Sequence, residues 1–239
     1  MHQNTRPSLS IITVTYNAAS TLEACIESIL LHKGEDVEFL VIDGGSKDGT
    51  SEILSKYRKS IDVLVSEPDN GIYDAMNKGL DLATGDYIIF LGADDILLHL
   101  PRESLLLGAD LVLCDVDCGG WKFQHARPEG KLRAQIRYRN SIHPQGTFYR
   151  RSTIRYSLKF RFCADYLFNI LHISTCTNVV YFDRPVSRFC TDGASAGWAA
   201  KSEAIRIAAL SFGPIAGIRS FTYHLGSHIL NLLRKRGEA

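Results

Sequence analysis

With 239 residues, a formal net charge of +1 and 45% hydrophobic residues, the chain can bury one substantial core and carries no charge bias toward nucleic acid or strongly acidic partners. No apolar run is long enough to span a bilayer, and the polar opening stretch, residues 1–7, lacks the apolar segment of a secretory signal. The six cysteines, at 25, 114, 118, 163, 176 and 190, form no CxxC pair and fall mostly in apolar segments, so reduced, buried thiols in a cytoplasmic protein are expected, not a disulfide framework or a zinc site.

Leu9 to Tyr16 reads as a first strand and Asn17 to Ser20 as the turn after it. Thr21 is a plain N-cap for a helix whose apolar residues recur at Leu22, Cys25, Ile26, Ile29 and Leu30. Val37 to Ile42 is a second buried strand, Asp43 to Thr50 its loop, and a helix continues to about Lys59. Ile61 to Val65 forms a third strand, and Ile72, Ala75, Met76, Gly79, Leu80 and Ala83 mark one face of the next helix. Tyr87 to Leu91 is the fourth strand, running straight into Asp94 and Asp95. Repeated βα units predict an α/β fold with a mostly parallel sheet and flanking helices.

Beyond Pro101 the pattern loosens. Leu111–Asp115 and Trp121–Gln124 read as strands around Gly119-Gly120, and the basic, polar stretch 126–142 as a mobile surface loop or strap. Asp165–Ile173 reads as a helix and Asn178–Phe182 as a strand; from Lys201 the chain is helical, broken at Gly213-Pro214.

In an open α/β sheet, ligands collect at the carboxyl ends of the strands. Asp43, Asp94 and Asp95 lie there, and Thr15, Tyr16 and Asn17 add polar tips of modest bulk. Adjacent carboxylates repel unless a cation or proton intervenes, so the Asp94-Asp95 pair suits Mg²⁺ or Mn²⁺, which often take one or two protein carboxylates plus substrate phosphates. The other reading of the pair is a solvated turn. The chain contains neither GxxxxGK[ST] nor a correctly placed GxGxxG, so a bound diphosphate needs a metal and basic side chains such as Lys78.

Four blocks carry a family resemblance: Ser10–Asn17, Asp43–Thr50, Glu67–Gly79 and Gly85–Asp95. In order and spacing they resemble family 2 glycosyltransferases of bacterial polysaccharide biosynthesis. That resemblance implies a GT-A fold (Rossmann-like, over residues 1–200), with a nucleotide-sugar half at about 8–100, an acceptor half at 101–200 and a helical appendage at 201–239. It implies a nucleotide-diphosphate sugar donor, a UDP-sugar being the expected form, and a divalent metal, Mn²⁺ or Mg²⁺. Carried over by position, Asp43 contacts the base, Asp94 the ribose side, and Asp95 the metal. The sequence departs from many members at Gly44, where they have a second Asp.

A second, weaker match spans Ile142–Arg151 and Phe162–Tyr166 and is similar to the acceptor side of such enzymes. It implies Asp165 as catalytic base of an inverting transfer to a glycan or lipid-linked acceptor; on position alone Asp165 is an acid in a helix's first turn. His143 is read as binding, either orienting a donor phosphate or acceptor hydroxyl or serving as a hydrogen-bonded structural residue. Asp192 either belongs to a Gly-rich loop of similar proteins or opens a turn. The rivals are a sugar-nucleotide nucleotidyltransferase, which calls for a Gly-rich basic loop after the first strand, and a non-catalytic nucleotide-sugar or polysaccharide-binding module. The C-terminal stretch 213–239 interleaves apolar and basic residues, as in a helix lying on an anionic membrane or one packed on the catalytic domain.

Overall fold

The computed structural model describes residues 9–190 and 197–237. Four strands, β1 (Leu9–Thr15), β2 (Val37–Asp43), β3 (Val63–Ser66) and β4 (Tyr87–Gly92), form the first half of the sheet. They are joined by helices α1 (Leu22–Leu30), α2 (Thr50–Lys56) and α3 (Ile72–Leu82). All pairings within this half are parallel, in the order β3-β2-β1-β4.

The second half holds β5 (Ile96–Leu97), α4 (Arg102–Leu106), β6 (Leu111–Asp117), β7 (Lys122–Phe123), α5 (Glu129–Gln135), β8 (Thr147–Arg150), α6 (Ala164–Thr175) and β9 (Val179–Arg188). The sheet continues from β4 through β8, β6 and β9 to β5, with β7 beside β6. β8 runs antiparallel to both β4 and β6, while β6 and β9 are parallel. A parallel first half is thus joined to a mixed second half. Helices α7 (Trp198–Phe212) and α8 (Pro214–Gly237) follow, parted at Gly213, which has φ 87°.

Strand alternation divides the core into two layers. Ile12 and Val14 of β1 face one apolar cluster with residues of α3, α5, α6 and α7, whereas Leu9 and Ile11 face another with α1, α2 and α4. The sheet therefore lies between two helical layers, and Ala204, Ile207 and Ala208 of α7 belong to the same core as α3, α5 and α6.

The stretch 126–142 is not a loose strap. It contains α5, because Leu132 and Ile136, one helical turn apart, are buried beneath a polar outer face. Arg133 of α5 donates to the carbonyls of Ile173 and Cys176, which satisfies acceptors at the end of α6. Its basic residues masked that apolar pair. Cys25, Cys114, Cys118 and Cys176 are buried free thiols, while Cys190 is exposed.

At the end of the sheet away from the strand carboxyl termini, Glu38 accepts hydrogen bonds from Ser10 Oγ (2.6 Å), Thr84 N (2.9 Å) and Thr84 Oγ1 (3.0 Å). Ser10 Oγ in turn accepts from Gly85 N at 2.8 Å. This cluster pins the α3–β4 turn to β1 and β2. Glu38→Ala strands buried donors and is expected to lower the unfolding free energy by about 2–3 kcal/mol, read as a shift of the urea midpoint. Ligand binding at the carboxyl ends of the strands should be unchanged in the folded fraction, because the cluster lies at the opposite end.

Candidate active site

Strand register brings the donor-side residues together. Thr15 pairs with Asp43 across β1 and β2, and Val14 pairs with Gly92 across β1 and β4. Asp43 is 1% exposed, and its carboxylate accepts from the amide and hydroxyl of Ser46 and from the Ser66 hydroxyl at 2.6 Å. Asn17, at φ 50°, donates its amide to Ser46 Oγ (2.8 Å) and accepts the Lys47 amide on its side chain (2.9 Å). Asp48 accepts from Ala19 N at 3.0 Å and so completes the lock between the two loops. Tyr16 is left 64% exposed at this edge. Thr15 Oγ1 is buried with no hydrogen-bond partner among the described residues.

Gly44 now has a physical explanation. A Cβ there would sit 2.5 Å from Asp69 Oδ2 and 3.3 Å from the Tyr16 ring. The position after Asp43 is thus hemmed in by a carboxylate from the β3–α3 loop. Lys78 joins this same acidic corner. Its Nζ lies 2.8 Å from Glu67 Oε1, 3.3 Å from the Pro68 carbonyl and 4.0 Å from Asp74 Oδ2, and the Glu67 contact raises its pKa. The lysine neutralises the Glu67–Asp74 segment beside Asp43.

Asp94 and Asp95 differ sharply in exposure. Asp94 is exposed, whereas Asp95 is 0% exposed and accepts from Gly92 N (2.7 Å) and Cys190 N (3.3 Å). Burial pushes the Asp95 carboxyl up to about 7, against the lowering effect of the amides and the Gln145 side chain. The space over Gly92 tests whether a cation fits: a Cβ built there would lie 2.7 Å from Asp94 Oδ1 and 2.9 Å from Asp95 Oδ2. Two carboxylate oxygens therefore converge on a cradle kept open by glycine. No group of three or more His, Cys, Asp or Glu side chains suited to a metal occurs among the described residues. The donor set fits a hard cation that completes its shell with water and phosphate oxygens.

Asp165 stands at the start of α6, where its Oδ1 accepts from Tyr73 OH (3.1 Å) and its Oδ2 from Asn140 Nδ2 (2.6 Å). Removal from water raises its pKa, and the two side-chain donors oppose that shift only in part. Tyr73 comes from α3 in the first half of the chain, Asn140 from the segment after α5 in the second. Asn140 is held by Asn169 (3.0 Å), whose Oδ1 accepts from Tyr149 OH (2.6 Å). His143 is wedged against Phe123 and Phe189, with ring centroids 5.2 and 4.8 Å away. Burial lowers its pKa to about 4, so it is neutral at pH 7 and offers hydrogen bonding without charge. Gln145, two residues on, connects this region to Asp95. Asp192 falls outside the described residues.

Sequence reasoning passed over Tyr73, Asn140, Gln145 and Glu203. Glu203 of α7 accepts from the backbone N–H groups of Arg161 (2.9 Å), Phe162 (2.8 Å) and Cys163 (3.0 Å). These amides belong to the turn that delivers Asp165. Glu203 is the sole acid in α7, an otherwise apolar and basic helix, and that isolation is the signal available in sequence.

Fold and site together define an α/β protein with a cluster of carboxylates, Asp43, Asp94 and Asp95, at the carboxyl end of its parallel strands and the buried carboxyl of Asp165 held between α3 and Asn140. Residues 10–188 match the family described as Glycosyl transferase family 2. A "PGL/p-HBAD biosynthesis glycosyltransferase" of Mycobacterium bovis is 36% identical over 178 residues, covering 69% of each chain. The "Putative teichuronic acid biosynthesis glycosyltransferase TuaG" of Bacillus subtilis is 38% identical over 95 residues, 38% of each chain. Among solved structures, S. aureus TarS 1-349 in complex with UDP-GlcNAc has a TM-score of 0.68 at 18% identity, covering 85% of this chain and 66% of that one. The chain spans 39% of the longer TarS chain. A mannosyltransferase from Pyrobaculum calidifontis in complex with GDP-Man and Mn²⁺ has a TM-score of 0.61 at 16% identity, covering 98% and 81%. The chain belongs to glycosyltransferase family 2 and has the GT-A fold.

Glu203→Ala removes the acceptor shared by three amides and is expected to lower kcat about tenfold, because small misplacements of a base are costly. KM for the donor should change little. Glu203→Gln, which keeps an acceptor oxygen, should recover part of the loss in the same steady-state assay.

Proposed function

We propose that the protein transfers a sugar, with inversion, from a nucleotide-diphosphate sugar to a hydroxyl of a glycan or lipid-linked glycan in cell-surface polysaccharide biosynthesis. One observation carries the reading: the Asp165 carboxyl is shared between Tyr73 on the donor side and Asn140 on the acceptor side. Residues 8–100 supply the donor half and 101–200 the acceptor half, with the helices beyond as an appendage that buttresses the second. Asp43 and Asp69 flank the base, with Thr15, Tyr16 and Asn17 beside them, and Asp94 and Asp95 face the diphosphate. UDP-GlcNAc, GDP-Man and UDP with Mn²⁺ accompany structural neighbours, which supports a nucleotide-sugar donor; a UDP-sugar is the form proposed here.

Asp165 as carboxylate takes the proton of the acceptor hydroxyl while that oxygen attacks the anomeric carbon. The bond from that carbon to the diphosphate oxygen breaks on the opposite face, so one base suffices and the configuration inverts. Asp95, with Asp94 beside it as a second carboxylate in addition to its ribose-side place, would hold a Mn²⁺ or Mg²⁺ ion, which would supply charge stabilisation for the departing diphosphate. His143 positions the Pro144–Gly146 turn that presents Gln145. The exposed apolar residues Leu210, Ile215, Ile218, Phe221 and Leu225 on α7 and α8 support peripheral contact of a cytoplasmic protein with a membrane. No helix among the described residues is long and apolar enough to cross one.

The acid limb of the pH–rate profile is expected above the ordinary carboxylate range. Asp165 acts only when deprotonated and its pKa is raised, so activity falls as pH drops through that raised value. Tyr73→Phe removes a donor that stabilises the carboxylate, so the limb moves to still higher pH. Asp165→Asn should abolish transfer while UDP with Mn²⁺ still raises the melting temperature; near-normal turnover would remove Asp165 from the mechanism. EDTA, or Asp94→Asn with Asp95→Asn, should cancel that thermal shift and the activity with it. Catalysis of pyrophosphate exchange in place of sugar transfer would favour a nucleotidyltransferase.

A further inference from the structure

Outside the site just described, a cavity of about 470 Å³ opens between β7 and α5, lined among others by Gln124, Arg127, Lys131, Gln135 and Arg139. Its lining includes three cations and no acid. Two of those charges are not neutralised by carboxylates. Arg139 is held by neutral partners, donating to Gln135 Oε1 (2.7 Å) and Tyr223 OH (3.0 Å), and its Nε is buried without a hydrogen bond. Lys131 is exposed and has no ion pair among the described residues. Arg127 pairs with Asp183 and lies over the Tyr181 ring, 4.7 Å from its centroid. By contrast Arg133, on the same helix, is spent on Glu129 and the α6 carbonyls. Positive charge is therefore concentrated on the cavity.

The cavity lies on the acceptor side. Arg139 directly precedes Asn140, which donates to Asp165 Oδ2 at 2.6 Å. On its other flank it reaches α8: Arg139 bonds Tyr223, and Arg219 stacks over Tyr138 with 5.1 Å to the centroid. A ligand here thus lies between the segment that carries Asn140, the donor to Asp165, and the face of α8 that carries Arg219 and Tyr223. Guanidinium and ammonium groups with a neighbouring amide form a donor set for a phosphate oxyanion.

We propose that this cavity is an anion subsite for the acceptor: it binds a phosphate carried by the molecule whose hydroxyl Asp165 activates. The proposal rests on the transferase reading above. The phosphate belongs either to a lipid-linked acceptor or to a soluble phosphorylated one, and the chemistry recognised is the same.

Titration calorimetry of the full chain, with UDP and Mg²⁺ saturating the donor site, tests this with geranyl phosphate, geraniol and inorganic phosphate. Geranyl phosphate should bind and geraniol should not. Lys131→Glu, and separately Lys131→Gln with Arg139→Gln, should weaken geranyl phosphate about tenfold or more. Lys159→Glu, an exposed charge change outside the cavity lining, should leave it unchanged. Displacement of geranyl phosphate by equimolar inorganic phosphate marks a soluble source; its persistence marks a lipid-linked one. Equal affinity in wild type and both cavity variants, equal binding of geraniol, or no binding of any phosphate overturns the proposal. UDP affinity, measured in the same variants, should not change. Loss of UDP binding in the wild type would instead strike the donor reading, so the two failures are separable.

Discussion

The shared hydrogen bonding of the Asp165 carboxyl is the constraint on which the rest of the site depends. One oxygen is fixed by a tyrosine from α3 in the first half of the chain and the other by an asparagine from the second half. The chain between those donors runs through a parallel sheet, an antiparallel junction at β8 and a turn held by Glu203. Each must be in place before both bonds can form. A single side chain thus ties the two halves of the chain together. Its raised pKa follows from the same enclosure, since packing that excludes water disfavours the charged form.

The donor edge shows a comparable tension. Asp95 is buried, with a pKa of about 7, while neighbouring Asp94 is exposed. Without a cation, like charges at that turn oppose folding; with one, the converging oxygens over Gly92 become an asset. Thr15 Oγ1 at the same edge is buried with no hydrogen-bond partner among the described residues, an acceptor and donor that a bound polar group would satisfy.

How much of this was legible in sequence depended on the range of the interactions. The parallel half was readable because its signals are local: short apolar strands, helix faces at regular offsets, and loops rich in Asp, Gly and Ser. Asp43, Asp94 and Asp95 fell at strand ends for that reason. Asp165 was singled out through family resemblance, whereas its partners were not. Tyr73 lay inside a recognised block but read as part of a helix start. Asn140 lay in a stretch whose many basic residues concealed the Leu132 and Ile136 anchors of α5. β8 and the Glu203 contacts are joined to their partners over long sequence separations, which periodicity does not reveal. The split in exposure between Asp94 and Asp95 was also invisible, because it arises when the backbone at Cys190 closes over one carboxylate and leaves the other open.

The proposed donor site lies between the strand-end acids and Asp165, and a crystal structure of the chain with UDP and Mn²⁺, using the anomalous signal of manganese, would show it. The expected result is a manganese peak in the cradle over Gly92, uracil beside Asp43, and the diphosphate on the side of the site facing Asp165. Manganese or nucleotide bound elsewhere, with the Gly92 cradle empty, would contradict it.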